Sequence, residues 1–311
     1  MVFTLLTIHS RLMVNTAIGT ESPGASKAMT TSVHTNSSAL VALQNLNNTN
    51  SKLSATQNRI STGLKVNGAK DNAATWAIAQ NQRADTSALD SVKSSLNRAT
   101  SISDVSLAAG AEISDIIVEL KAKAVAAADP SASAESRKAY DDEFQSLLKS
   151  LQSFAENATF DGENILNGAV ATNLEFLASA DAQEKISLNR QDLTLAGLGL
   201  AADATATPAV AAPSLLNTAD AEAALARVEA ALATSNSRLA ELGAQAKQIE
   251  KHNIFVGKLM DSLEVGVGNL VDADLAKESA RLQALQVQQQ LGAQSLSIAN
   301  QSPQIILSLF Q

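Results

Sequence analysis

Residues 225–270 read LARVEAALATSNSRLAELGAQAKQIEKHNIFVGKLMDSLEVGVGNL, a run without proline. Leu225, Val228, Leu232, Ser235, Leu239, Leu242, Ala246, Ile249, Asn253, Val256, Met260, Leu263, Val267 and Leu270 recur at alternating spacings of three and four. That is the packing seam of one long helix. At 1.5 Å per residue the helix would run about 70 Å. A globular domain of this chain's length has a radius of gyration near ~20 Å, so the element implies a rod.

Partners for this helix lie upstream. Residues 72–127 are Ala-rich and carry Leu89, Val92, Leu96, Ala99, Ile102, Val105, Ala109, Ile113, Ile116 and Leu120 at helical spacing with one shift of phase. Asp129-Pro130 stops that helix, because the ring removes a donor and restricts the residue before it. A further stripe follows in Tyr140, Phe144, Leu147, Leu151, Phe154 and Ala158, so 72–158 predicts a helical hairpin. Between about 160 and 216 the helical signal fails. Phe160-Asp161-Gly162 and Asn167-Gly168 are turn formers. Leu174, Phe176 and Ala178, then Ile186 and Leu188, alternate as short strands of a small hairpin. Residues 203–217, a mixture of Ala, Thr and Pro, predict a surface connection.

Composition agrees with close-packed helices. Hydrophobic residues make up 45% of the 311, yet aromatics only 3%, and there are five prolines and 14 glycines. Cores of this kind bury Ala, Leu, Ile and Val in long regular elements. With no cysteine there is no disulfide, thiolate nucleophile or thiolate metal site. The net charge of −8, without a basic run, argues against nucleic-acid binding. No stretch approaches the roughly 18–20 apolar residues of a membrane helix. Met1 to Ile8 is mildly apolar but short and lacks a positive n-region, so a secretory signal peptide is not expected.

Charge is unevenly placed. Ser22 to Lys70 contains no acidic residue, and from Ser279 to Gln311 the only charge is Arg281. Both ends nevertheless carry seams: Leu43, Leu46, Asn50, Leu53, Gln57, Ile60 and Leu64 in one, Val271, Leu275, Glu278, Leu282, Leu285, Gln289, Gly292, Leu296 and Ala299 in the other. A solvated tail carries more charge and fewer aliphatics, so both ends are expected to be buried against something. Asn or Gln in such a seam weakens packing and fixes register.

Nothing in the chain reads as enzyme chemistry, and we expect no catalytic, cofactor-binding or metal-ligating residues. Ala196-Gly197-Leu198-Gly199-Leu200 lacks the third glycine and the strand–turn–helix frame of a phosphate loop, and predicts a tight turn. Asp141, Asp142 and Glu143 are consecutive on a helix and fan outward rather than converge on a metal. Asp272, Asp274 and Glu278 have no histidine beside them and read as a polar step in the seam or an intersubunit contact. His9, His34 and His252 are far apart in sequence, and His34, His252 and Trp76 are expected to be structural, Trp76 plugging a gap between helices. Asn36-Ser37-Ser38 and Asn157-Ala158-Thr159 match a glycosylation pattern that is frequent by chance.

Five stretches together resemble the bacterial flagellin family in its short form. Ile60 to Ala79, ISTGLKVNGAKDNAATWAIA, is similar to the family's signature near its start, and Asn36 to Asn47, NSSALVALQNLN, to the segment before it. Phe160 to Gly168, FDGENILNG, resembles the loop closing the amino-terminal half, and Val271 to Glu278 with Ala299 to Gln304 resembles the closing signature. Gly68, Asn72 and Thr75-Trp76 depart from the family's usual residues in ways compatible with packing. Met1 to Ala28 lies outside the resemblance and is either a wrongly assigned start or an extension, the mature protein being expected to begin at or just after Met29.

The resemblance implies a mainly α fold: a long antiparallel helical rod with a small β-hairpin region and discontinuous domains formed by both chain ends. On it, 29–66 and 272–311 form an inner domain and 67–168, 169–216 and 217–271 the rod, the 169–216 part being its hairpin and connection; 1–28 stays outside. The variable outer domains of long flagellins are missing. The implied function is a structural subunit, not an enzyme, that self-associates by a repeating non-closing contact into the extracellular flagellar filament used for swimming. Implied partners are the flagellar type III export apparatus and an export chaperone, the filament cap and the hook-associated junction proteins, with no cofactor, nucleic acid or membrane insertion. The hook–filament junction protein shares the terminal logic, but the closing motif and the lack of an inserted domain favour the filament subunit. In relatives recognised by the innate immune receptor the rod carries an Arg-Glu-Leu or Arg-Glu-Met step, where this chain has Val118-Glu119-Leu120. Without the arginine's donor fork, weak receptor activation is implied.

Overall fold

The computed structural model describes residues 36–170, 172–202 and 211–308, with side chains to 301. Its elements are α1 (Ser37–Thr62), α2 (Ala73–Ala128), α3 (Ala134–Asn157), β1 (Leu174–Leu177), β2 (Lys185–Leu188), α4 (Thr218–Val271) and α5 (Leu275–Ser308). The chain divides into two compact units, Arg59–Asp274 and the two ends Met1–Asn58 with Leu275–Gln311. The chain is mainly helical, as its seams require.

In the larger unit, α2 and α4 lie antiparallel. Lys121 pairs with Glu229 at 2.9 Å and Asn253 donates to Asn97 at 2.7 Å, so residue numbers run oppositely along the two helices. Every residue of the 225–270 seam is buried or half-buried. Ala221, Ala224 and Ala231 are buried as well, and such short side chains allow close approach. Gly110 is buried against Leu239, whose δ-carbon occupies the space a β-carbon would need.

Capping explains where the helices stop. Asn72 accepts from the Thr75 amide at 3.1 Å and starts α2; asparagine serves a helix N-terminus as well as aspartate does. At the far end, Arg137 donates to the carbonyls of Ala127 and Asp129, at 3.1 and 2.9 Å, supplying partners the helix end lacks. The Asp129 carboxyl accepts from the Ser131 amide and Ser133 caps α3. Asn164, buried, donates to the carbonyls of Ala155 and Glu156 and accepts from the Leu166 amide, which closes α3 and fixes the next turn.

β1 and β2 pair antiparallel, with Leu174 opposite Leu188 and Phe176 opposite Ile186. Phe176, Ile186 and Leu188 point into the core and Glu175 and Lys185 outward. The hairpin is tied to both long helices, the Leu177 amide donating to Ser95 and His252 bonding the Ala178 carbonyl at 2.8 Å.

Three readings need correction. The buried stripe of α3 is Phe144, Leu148, Leu151 and Ala155, so Phe154 lies outside it at 42% exposure. Residues 203–210 are outside the described residues, but 211–217 is not a simple surface connection. Leu215 is fully buried, its amide donates to Asp141 at 2.7 Å, and Gln145 donates to the Pro213 carbonyl. The apolar side chain needed more helix surface than the composition of the segment disclosed. In α1 and α5, Leu43, Gln57 and Leu275 are exposed although they were counted in the seams; the buried line of α1 drifts to Thr56, and Leu275 begins its helix rather than continuing the one before.

Candidate assembly surface

The smaller unit is built from α1 and α5 and begins with a cap. Asn36 accepts from the Ala39 amide at 3.0 Å and starts α1, while its own amide reaches the Ala299 carbonyl at 2.7 Å. Further along, Gln289 donates to Asn50 at 2.8 Å, and Gly292 leaves room for Leu46, whose δ-carbon would lie 3.3 Å from an added β-carbon. These contacts make the two segments an antiparallel pair in one register.

The Asn50–Gln289 bond does what polar residues in a seam were expected to do. A shift by one turn would break this bond, and leaving half-buried amides unpaired in an apolar seam costs stability. On α5, Glu278, Leu282, Leu285, Gln289, Gly292, Leu296 and Ala299 are all buried or half-buried. The contribution of Asn36 was not legible in sequence, since its partner is a backbone carbonyl from the other end of the chain.

The same pair presents apolar side chains outward. Val287, Leu291 and Ile298 are 55%, 60% and 63% exposed, and their spacing puts them on a common side of α5. Leu40, Val41 and Leu43 are exposed on α1. After Arg281 no charge interrupts α5. A helical stretch without charge that turns one apolar line to its partner and another to water has the character of an association surface.

The remaining sequence candidates occupy structural positions. Leu198 donates to the Thr194 carbonyl, Gly199 to Ala196 and Leu200 to Leu195, which makes 196–200 a tight turn, with Gly199 at φ +70°. Asp141 holds the Leu215 amide and Glu143 pairs with Lys123, whose ammonium it holds above the usual lysine range, so two of the three acidic side chains have separate duties. Asp272 ends α4, its amide on the Gly268 carbonyl, and Glu278 lies 3.9 Å from Arg281. Among the described residues no three acidic or imidazole groups are placed to hold a metal, and no helix is long and apolar enough to cross a membrane. His9 and His34 lie outside the described residues, as does the segment Met1 to Ala28. His252 bonds the hairpin and tilts against Phe255. Trp76 packs on the cluster Val66, Ala79, Val267 and Val271. Asn36 is committed to capping, and Asn157 donates to the Ser153 carbonyl. Val118 is exposed and Leu120 buried, with Lys121 beside them paired to Glu229.

Comparison with known proteins bears on the whole chain. Residues 33–171 match the family model of the bacterial flagellin N-terminal helical region and 225–310 that of the C-terminal helical region. Flagellin FljM of Caulobacter vibrioides is 49% identical over 280 residues, covering 90% of this chain and 98% of that one. A flagellin of Brucella melitensis is 42% identical over 293 residues, at 90% and 99% coverage. Among solved structures, a Vibrio parahaemolyticus protein described as flagellar hook-associated shares the fold at a TM-score of 0.52 and 11% identity, over 65% of this chain and all of that one.

Proposed function

Since the chain belongs to the bacterial flagellin family, we propose that its α1–α5 pair is the part that locks each subunit into the polymer. The protein is the structural subunit of the extracellular flagellar filament and not an enzyme. Flagellins similar over nearly their full length favour that role over the hook–filament junction protein, since the hook-associated likeness extends to the fold alone.

The observation that carries the proposal is the outward apolar line Val287, Leu291 and Ile298 on a helix whose opposite side is already packed. Burying a leucine contributes about 1.5–3 kcal/mol, which neighbouring subunits would gain by covering this line. We assign 29–66 and 272–311 to an inner domain and 67–271 to a rod, with 169–216 as the rod's hairpin and connection. A repeating, non-closing contact through the inner domain generates a helix of subunits. A chain that must reach the growing polymer also needs an export apparatus and a chaperone covering its apolar ends, a cap at the tip and junction proteins at the base; these are the partners we assign to it. No residue is assigned a catalytic, cofactor-binding or metal-ligating role. The test is imaging of cells in which this chain is the sole flagellin. Long filaments are expected, whereas cells bearing hooks without filaments would refute the reading.

A further inference from the structure

Two Asn-Gly steps occur in the chain, Asn67-Gly68 and Asn167-Gly168. We propose that Asn67 is a self-modifying site that converts to aspartate and isoaspartate, and that Asn167 is protected from the same chemistry by its surroundings.

The reaction needs a free asparagine side chain, a following residue without a β-carbon and an uncommitted amide nitrogen on that residue. The Gly68 nitrogen, losing its proton, bonds to the Asn67 Cγ; the Cγ–Nδ2 bond breaks and ammonia leaves, giving a five-membered imide. Water then opens either carbonyl of the imide, yielding aspartate or the isomer whose main chain runs through the former side chain. The net change is asparagine plus water to aspartate plus ammonia, without any enzyme or oxidant.

Asn67 meets these conditions. It is exposed, lies between α1 and α2 outside any regular element, and its side-chain amide has no hydrogen-bond partner among the described residues. Nor does the Gly68 amide. A β-carbon at Gly68 would meet nothing within 4 Å, so the space in which the imide forms is open. At Asn167 the side-chain oxygen accepts from the Ala169 amide at 3.1 Å, which fixes the rotamer. Gly168, at φ +63°, lies against the Asp192 carboxylate, 2.6 Å from where its β-carbon would be. That contact leaves little room for the ring, whereas the space at Gly68 is open.

The product has consequences for the turn. The Asn67 amide donates to the Asp71 carboxylate at 3.0 Å and the Asp71 amide to the Gly68 carbonyl at 3.1 Å. A carboxylate at 67 adds a like charge beside Asp71, and the isomer lengthens the main chain inside that bonded loop. The loop is otherwise anchored, since Lys65 and Val66 donate to the Val271 carbonyl. The change therefore loosens a turn whose two sides stay fixed.

The test incubates the full chain in mildly alkaline buffer and follows both peptides by mass spectrometry, with isoaspartyl methyltransferase labelling to distinguish the isomers. Conversion at Asn67 should run several-fold faster than at Asn167 and should carry the isoaspartyl label. In Gly68→Ala, which the open space accommodates without strain, it should fall several-fold while the circular dichroism of the chain stays unchanged. Conversion at Asn167 as fast as at Asn67, an amide that persists at Asn67, or an undiminished rate in Gly68→Ala would overturn the proposal.

Discussion

Asp192 shows how single residues hold the irregular part of the larger unit. Its carboxylate accepts from the Thr194 amide and hydroxyl, at 3.1 and 2.6 Å, and it fits only because residues 168 and 197 are glycines. A β-carbon at 197 would collide with both the Asp192 carbonyl oxygen and its carboxylate. Overpacking of this kind costs about 1–3 kcal/mol, and here the obstacle includes backbone that cannot rotate away. Gly197→Ala should lower the midpoint of thermal unfolding by several degrees, read by calorimetry. A second residue-scale expectation concerns Asp129, whose carboxyl is held below the usual aspartate range by the Ser131 amide and then by the Ser131 hydroxyl. Because the folded value is depressed, the group's contribution to stability is present above the unfolded value and is lost as pH falls through the folded one. Carbon-detected titration should place Asp129 below an ordinary aspartate, and Ser131→Ala should move it upward.

The two helix pairs differ in how much they bury. Leu239 in α4 packs against the main core and over Gly110, and that core takes in α2 residues from Leu89 to Ala127. In the smaller unit, Thr56, Glu278 and Leu285 are the buried side chains among the described residues. Regions with few buried contacts open at low free energy. Leu282, Leu285 and Leu296 lie on the side of α5 whose Gln289 and Gly292 meet Asn50 and Leu46 of α1. Leu285 is 5% exposed and the other two are half-buried, because α1 supplies their first covering surface. Leu239→Ala should therefore cost about 2–3 kcal/mol in the melting of the larger unit. Leu285→Ala should leave that melting nearly unchanged and instead speed hydrogen exchange along α5.

How much could be read from the chain follows the same division. The seams of α2, α4 and α5 were legible because apolar residues at helical spacing suffice to define a buried face; Asn50 and Gln289 were legible as polar steps in their seams, but not as partners of each other. Leu215, the Asn36–Ala299 contact and the phase of α3 at Phe154 were not legible. Each depends on which surface arrives from a distant part of the chain, and no local period encodes that. The outward line of α5 was partly hidden for the same reason: a periodicity fixes one buried side of a helix, whereas Val287, Leu291 and Ile298 mark a second apolar side that is exposed in the single chain.

For the molecule as a whole we propose that this flagellin assembles through the uncovered side of its terminal helix pair while its long helices supply the stability of the single subunit. Truncating one exposed leucine separates the two. Leu291 is 60% exposed, so its loss leaves no cavity in the free chain, whereas in the polymer it forfeits about 1.5–3 kcal/mol of burial. Each 1.4 kcal/mol is roughly tenfold in an equilibrium constant. The decisive measurement is the critical concentration for seeded filament growth of Leu291→Ala against the unaltered chain, with calorimetry of both monomers. The critical concentration should rise roughly tenfold or more with the melting temperature unchanged. An unchanged critical concentration, or growth lost only in step with a destabilised monomer, would contradict the proposal.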